Sequence, residues 1–336
     1  MNTALVADIG GTHARFGLVA NADKASGVLQ IADERKFRCA DHASLESVLD
    51  AYLDAIGRPT LAFASIAVAA PVWKDRISMT NLPWNFSRKE MKRLLGVSRL
   101  EVINDASAGV LATTRLEWHE VETVRQGTPE PEAARVNIIP GTGFGIGAAY
   151  LFGKAWIPVQ GEGGHIGLAA SEPEEYAALD ALARVHGRAT PENVLSGPGM
   201  LHLYQALAAV RGEQAKDMDP AEMTRLALER EDALCVDALR MYCRLLGSLA
   251  GDYALVFGAQ GGLYLSGGIL KRLGAEWLRE GFENRFEDKG KVADEVARIP
   301  VLLVKRDHPG LLGAAAWLLN TLGQDDPSLQ AVASAV

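Results

Sequence analysis

The sequence predicts an α/β protein made of two related sub-domains facing each other, and three observations carry that expectation. Strand and helix signals alternate through the first third of the chain. A strand–glycine turn–strand unit occurs twice, around Gly10 and again around Gly141. From Glu172 onward, amphipathic helical patterns dominate,.

Ala4–Ile9 and Ala14–Val19 read as paired strands about the turn Gly10-Gly11-Thr12, with Val28–Phe37 as a third strand. Leu45–Ile56 has helical spacing, with Leu45, Val48/Leu49, Tyr52/Leu53 and Ile56 on one face,. Ala62–Ala70 reads as a buried strand stopped by Pro71, and Ser87 with Glu90 as a capping box for a helix to Leu95,. Leu100–Ile103 is a strand leading into Asn104-Asp105 and an alanine-rich helix. The second unit pairs strands Val136–Ile139 and Ile146–Phe152 around the turn Pro140–Gly145. Helices are expected over Glu174–Val185, Met200–Val210, Pro220–Glu229 and Asp232–Phe257. A short strand, Leu263–Leu265, ends in Ser266-Gly267-Gly268. The last strand, Val301–Val304, is followed by a helix over Gly310–Leu322 and a tail, Gly323–Val336, expected to fray,. No low-complexity linker divides the chain, so two domains would be joined by packed segments.

Composition narrows the class of protein. Hydrophobic residues are 48% and charged residues 23% of 336, which is globular rather than disordered,. A net charge of −8 argues against non-specific attraction to nucleic acid or anionic membranes, though not against a local anion site,. Cys39, Cys235 and Cys243 form no CxxC pair, which points to a reducing compartment and no disulfide framework,. No basic n-region precedes the first apolar residues, so no signal peptide is expected,. The apolar run Gly310–Leu319 falls short of the roughly 18–20 residues a membrane span needs,. The expectation is a cytoplasmic protein with neither nucleic-acid nor membrane partners.

The glycine turns suggest phosphate chemistry. A turn without Cβ atoms lets backbone N–H groups approach an anion, and the Thr12 hydroxyl adds a donor. Asp8 would repel a phosphate alone, but it fits where Mg²⁺ or its waters lie between. Gly-Gly is also an ordinary hairpin dipeptide; the second copy, Gly141-Thr142-Gly143, favours the phosphate reading. There is no P-loop motif. Gly143-Phe144-Gly145-Ile146-Gly147-Ala148 matches a dinucleotide fingerprint only in part, because no long helix follows it,.

Asn104-Asp105 stands where a helix begins, and either residue could cap it, leaving the other free,. A carboxylate there suits a kinase that acts on an alcohol, accepting the hydroxyl proton during phosphoryl transfer. Gly161-Glu162-Gly163-Gly164-His165 puts a carboxylate and an imidazole on a glycine loop, an arrangement suited to adjacent sugar hydroxyls. It is a poor metal half-site, since Glu-x-x-His needs a helix and a second copy. Glu192 is a further acceptor or a helix first-turn residue beside Pro191, and Thr80-Asn81-Leu82-Pro83-Trp84 is a polar turn that could border the same cleft,. His42, His119, His186, His202 and His308 read as surface or capping residues, and the Cys235–Cys243 helix as core.

In this order, the segments ADIGGTHARFGL, EVINDASAG, IIPGTGFGIGAAY, GEGGHIGL, ENVLSGPG and GGLYLSGGI closely resemble bacterial ATP-dependent glucokinases. The resemblance runs from about Ala4 to Leu322 and implies a two-domain actin/hexokinase-like (ribonuclease H-like) α/β fold with a ligand cleft between domains. The domains would be 1–110 plus 304–336, with the returning last helix, and 111–303. It implies transfer of the γ-phosphoryl group of MgATP to the 6-hydroxyl of D-glucose by a homodimer. Asp105 would be the catalytic base, and Asn104, Glu162, His165 and Glu192 would join it as sugar ligands. Asp8, Ile9, Gly10, Gly11, Thr12 and His13 would form the first phosphate loop, with Asp8 reaching Mg²⁺ through water. Gly141, Thr142 and Gly143 would form the second loop, and Gly267 and Gly268 the adenosine-side turn. His13 stands where the family often has Asn, Ala7 where Gly is common, and Gly167 where Asp is common. The alternatives are a kinase of mannose, glucosamine or an N-acetylhexosamine, and a non-catalytic sugar sensor, which would need a DNA-binding module or a lost base.

Overall fold

The structure is a computed structural model describing residues 3–19 and 29–324. Val28, at the start of the expected third strand, and residues 325–336 of the expected tail lie outside the described residues. The first part of the chain forms β1 (Ala4–Ile9), β2 (His13–Val19), β3 (Ile31–Arg38), α1 (Leu45–Ala55), β4 (Phe63–Val68), β5 (Arg76–Ser78), β6 (Asn85–Ser87), α2 (Arg88–Leu95), β7 (Arg99–Asn104) and α3 (Asp105–Thr113). Next come β8 (Val121–Arg125), β9 (Arg135–Pro140), β10 (Phe144–Phe152), β11 (Ala155–Gln160), α4 (Pro173–His186), α5 (Pro191–Leu195), α6 (Gly197–Arg211), α7 (Pro220–Leu228) and α8 (Ala233–Phe257). The chain ends with β12 (Leu263–Leu265), α9 (Gly268–Glu287), α10 (Ala293–Val296), β13 (Val301–Val304) and α11 (Pro309–Gln324). Gly323 and Gln324 therefore continue the last helix instead of fraying.

Two compact units result: Met1–Glu117 with Leu151–Gln160 and Arg306–Val336, and Trp118–Tyr150 with Gly161–Lys305. The division falls at 117/118 and 305/306 instead of 110/111 and 303/304, because α3 runs on to Thr113 within the first unit. Residues 151–160 also join the first unit, where Asn320 of α11 donates to the Trp156 carbonyl of β11 at 2.8 Å.

The sheet of the first unit has the order β3-β2-β1-β4-β7. β1 is antiparallel to β2 and parallel to β4, and β4 is parallel to β7. Central β1 and β4 are buried almost throughout, as strands covered on both faces should be,. Phe16 stacks on Tyr52 of α1 with ring centroids 5.0 Å apart, in the middle of this core. α1 starts at a Ser44 capping box, and Ser87 caps α2 by accepting from the Glu90 N–H. α11 lies so close to α3 that a methyl group on Gly313 would collide with the Ala108 carbonyl. Sequence patterning missed the β5–β6 hairpin because three-residue strands carry no period.

In the second unit the strands run β10-β9-β12-β13-β8, with β9, β12 and β13 parallel. β9 and β10 pair antiparallel, Pro140 opposite Phe144, so the turn between them is only Gly141–Gly143. α8, 25 residues long, is the apolar spine of this unit. Both buried thiols on it, Cys235 and Cys243, are pushed up to about 12 by desolvation, consistent with core residues. Fully buried Glu175 of α4 accepts from both terminal nitrogens of Arg285 on α9 and from Arg244 on α8, which pins three helices. α9 escaped sequence patterning because Gly274, at φ 73°, breaks it into two shorter pieces,. The glycine turns and the Gly267-Gly268 segment occupy the C-terminal ends of the parallel strands, where α/β sheets bind ligands,.

Candidate active site

In the first unit, the β1–β2 register sets Asp8 opposite Arg15 and Ile9 opposite Ala14, leaving Gly10-Gly11-Thr12 as the turn. Gly10 N–H donates to His13 O at 3.0 Å, so that one amide is used inside the hairpin and not on a ligand. From behind, Cys39 holds both sides of the turn: its N–H donates to Thr12 O at 2.9 Å and its Sγ to Gly10 O at 3.5 Å. Gly11 packs beside Asn81, with only 3.1 Å between an added Cβ and the Asn81 Cβ. Asn81, in the Thr80–Trp84 turn, therefore lies beside the first glycine turn.

Asp8 lies below that turn with its side chain 17% exposed. Arg15 Nη1 stands 3.6 Å from its Oδ2. On the other side, a Cβ at Gly310, in the first turn of α11, would come within 2.6 Å of the Asp8 carboxyl carbon. Desolvation raises the Asp8 pKa, and Arg15 opposes that shift only in part,. His13 is pushed the other way, by burial first and then by the positive charges of Lys36, Arg15 and Arg38, all of which disfavour the imidazolium.

Asn104 ends β7 opposite Val68 and caps α3, its Oδ1 accepting from Ala106 N at 3.0 Å and Ser107 N at 3.2 Å. The cap is therefore Asn104. Asp105 is nevertheless anchored, contrary to the expectation of one cap and one free neighbour. Its Oδ1 accepts from Ala106 N at 2.9 Å and from Asn104 Nδ2 at 3.1 Å. The two side chains are locked together at the mouth of a helix whose remaining residues are all buried,.

In the second unit, Gly141 N–H donates to Gly143 O at 2.8 Å, and Gly141 O accepts from Gly197 N–H at 2.8 Å, at the start of α6. Phe144 N–H donates to Glu192 Oε2 at 3.1 Å. Ser266 ties the neighbouring segment to this turn: its N–H donates to Ile138 O at 2.9 Å and its Oγ donates to Asn137 Oδ1 at 2.7 Å. Gly267 adopts φ 105° with an added Cβ only 2.7 Å from Pro140 O, so a residue with a side chain would not fit there,. Gly267 therefore lies against Pro140, the residue that leads into the Gly141–Gly143 turn.

Glu162 and His165 flank a short 3₁₀ turn, Gly163–His165. Their side chains are 73% and 57% exposed, and His165 Nε2 stands 3.9 Å from Glu162 Oε2. Between them, Gly164 is buried and Gly163 half-buried. Gly163 O accepts from Tyr253 OH at 2.6 Å, and a methyl on Gly164 would strike the Phe144 carbonyl. Thus the loop's backbone is fixed while its polar side chains face outward. At Gly167 a Cβ would meet Arg188 Nη2 at 3.1 Å.

A family model described as Glucokinase matches residues 5–321. The chain is 36% identical over 314 residues to glucokinase of Saccharophagus degradans, covering 94% of this chain and 97% of that one. It is 39% identical over 322 residues to glucokinase of Salmonella typhi, covering 95% and 98%. A crystal structure of glucokinase from an Antarctic psychrotroph superposes with a TM-score of 0.88 at 38% identity, covering 95% and 99%. The chain belongs to the glucokinase family.

As a glucokinase-family member it is an ATP-dependent sugar kinase, with the two-domain actin/hexokinase-like α/β fold that the motifs implied. Among the described residues no three His, Cys, Asp or Glu side chains gather into a metal site, and no helix is long and apolar enough to cross a membrane. Mg²⁺ in a kinase is held mainly by phosphates and waters with one or two carboxylates. One sheltered acid below a glycine turn, as Asp8 is, fits that donor set. Sequence reasoning missed Cys39, Tyr253, Gly310 and the Asn137–Ser266 pair. No local signal marks them, since each acts on a turn far away in the chain; only Pro309-Gly310 carried a hint, as a helix start.

Proposed function

We propose that this glucokinase-family chain transfers the γ-phosphoryl group of ATP to the 6-hydroxyl of D-glucose, with Asp105 as the base. The observation that carries the reading is the Asn104–Asp105 lock, which holds a carboxylate in one orientation at the start of α3. Asp105 would accept the proton of the sugar hydroxyl as its oxygen bonds to phosphorus and the bond to ADP breaks. Orientation contributes more than basicity here, because phosphoryl transfer depends chiefly on alignment and charge stabilisation.

Asn104, Glu162, His165 and Glu192 are the proposed sugar ligands. Glu162 and His165 are exposed and sit on a fixed backbone, which suits exchange of water for hydroxyl groups. Ile9 to His13 and Gly141 to Gly143 are the proposed phosphate turns, and Gly267-Gly268 the adenosine-side segment. Asp8 would hold Mg²⁺ through water; the ion, when bound, neutralises phosphate charge. A cytoplasmic homodimer that binds neither nucleic acid nor membranes completes the proposal. A coupled ADP-release assay over glucose, mannose, glucosamine and N-acetylhexosamines tests it, with the product identified by mass spectrometry. Glucose 6-phosphate is the expected product. ADP release without any phosphorylated hexose would overturn the reading.

A further inference from the structure

The segment from Pro191 to Gly197 touches the second glycine turn at both of its ends. At one end Gly197 N–H donates to Gly141 O at 2.8 Å; at the other, Glu192 Oε2 accepts from Phe144 N–H at 3.1 Å. Glu192 also fills the space a side chain at residue 143 would take, since a Cβ there would lie 2.6 Å from Oε2. The segment is itself well anchored. Thr190 caps α5 by accepting from Asn193 N–H at 3.2 Å, and Ser196 caps α6 by accepting from Gly199 N–H at 3.0 Å. Phe144 in turn has two faces: its N–H meets Glu192, while its carbonyl packs on Gly164 of the Glu162–His165 loop.

We propose that Glu192 is a positioning residue for the nucleotide, holding the Gly141–Gly143 turn through Phe144 N–H in addition to serving the sugar; this deepens the kinase reading and rests on it. One carboxylate oxygen fixes the backbone that receives phosphate, and the other is left for the sugar. Sugar recognition and the shape of the phosphate turn thereby share one side chain. A sugar ligand with no other task would have no need to reach a backbone amide of this turn.

Three substitutions separate the two tasks. Glu192→Gln keeps an oxygen that accepts from Phe144 N–H but loses the charge. Glu192→Asp keeps the charge but withdraws it by one methylene, and Glu192→Ala removes both. KM for ATP at saturating glucose is measured, together with ADP binding by calorimetry in the absence of sugar. The expected result is a loss of about tenfold in both nucleotide readouts for Asp and Ala, the size of one hydrogen bond, and a change within about twofold for Gln, which keeps an acceptor. KM for glucose rises in all three. Nucleotide readouts that stay at the wild-type value in both Asp and Ala, with only the glucose KM moved, would overturn the proposal. If the Ala variant fails to fold, the Asp–Gln pair decides alone. ADP calorimetry needs no turnover, so it still tests the brace should the wild-type protein phosphorylate no hexose, an outcome that would remove the kinase reading instead.

Discussion

The two glycine turns are copies in sequence pattern, yet their surroundings differ. Gly10–Thr12 is backed by Cys39 through a main-chain N–H and a weak thiol donor, and it stands over an acid sheltered beneath α11. Gly141–Gly143 is gripped by a helix-start amide and by a carboxylate that belongs to the proposed sugar site. The first unit holds two half-buried acids in place, Asp8 beside Arg15 and Asp105 by Asn104. The second leaves Glu162 and His165 in solvent on a rigid backbone. Under the proposed function the two units divide the chemistry: held charge for the reaction in the first, exchangeable polar groups for recognition in the second.

The largest expected effect tests the first half of that division. Asp105→Asn keeps the side-chain shape but not the basicity, and it should lower kcat by about 10²–10⁴ while glucose binding, measured by calorimetry, changes little. Glu162→Gln probes the other half: about tenfold weaker glucose binding with ATP binding nearly intact. Equal losses of kcat in both variants would erase the contrast. Gly313→Ala asks whether the rigidity of the first unit comes from the α3–α11 contact. The added methyl meets the Ala108 carbonyl, and overpacking of this kind costs about 1–3 kcal/mol, readable by denaturant titration,.

The smallest effect depends on pH. Burial raises the Asp8 pKa, so between its ordinary value and the raised one the folded chain binds more protons than the unfolded chain,. Stability therefore falls as pH rises through that window, and the loss persists at neutral pH. Asp8→Asn should raise the melting temperature at pH 7.5 relative to wild type, a gain that disappears below the ordinary carboxylate range. The same variant should bind MgATP less tightly. A variant no more stable than wild type at pH 7.5 would mean that Arg15 fully compensates the buried charge.

Elements with a clear period were legible in the sequence: α1, α6, α8 and the two strand–turn–strand units lie within a few residues of where patterning puts them. Elements without one were not. β5 and β6 are three residues each, and β11, mostly half-buried, has no clean alternation. At the site, the types of chemistry were legible because Gly, Asp, Asn and His carry it locally. Their constraints were not. Nothing near residue 105 says that Asn104 grips its carboxylate, and nothing near residue 144 announces Glu192, 48 positions away.

The first unit is assembled from three separate stretches of chain, and its last helix supplies the wall against which Asp8 rests. During synthesis the second unit has all of its own residues once Lys305 has emerged. The N-terminal sheet, although made first, must wait for the final stretch before α11 can cover it. A nascent chain halted just short of that helix would hold every residue assigned to catalysis while Asp8 lacked its wall. The surroundings of Asp8 are therefore complete only once α11 is in place.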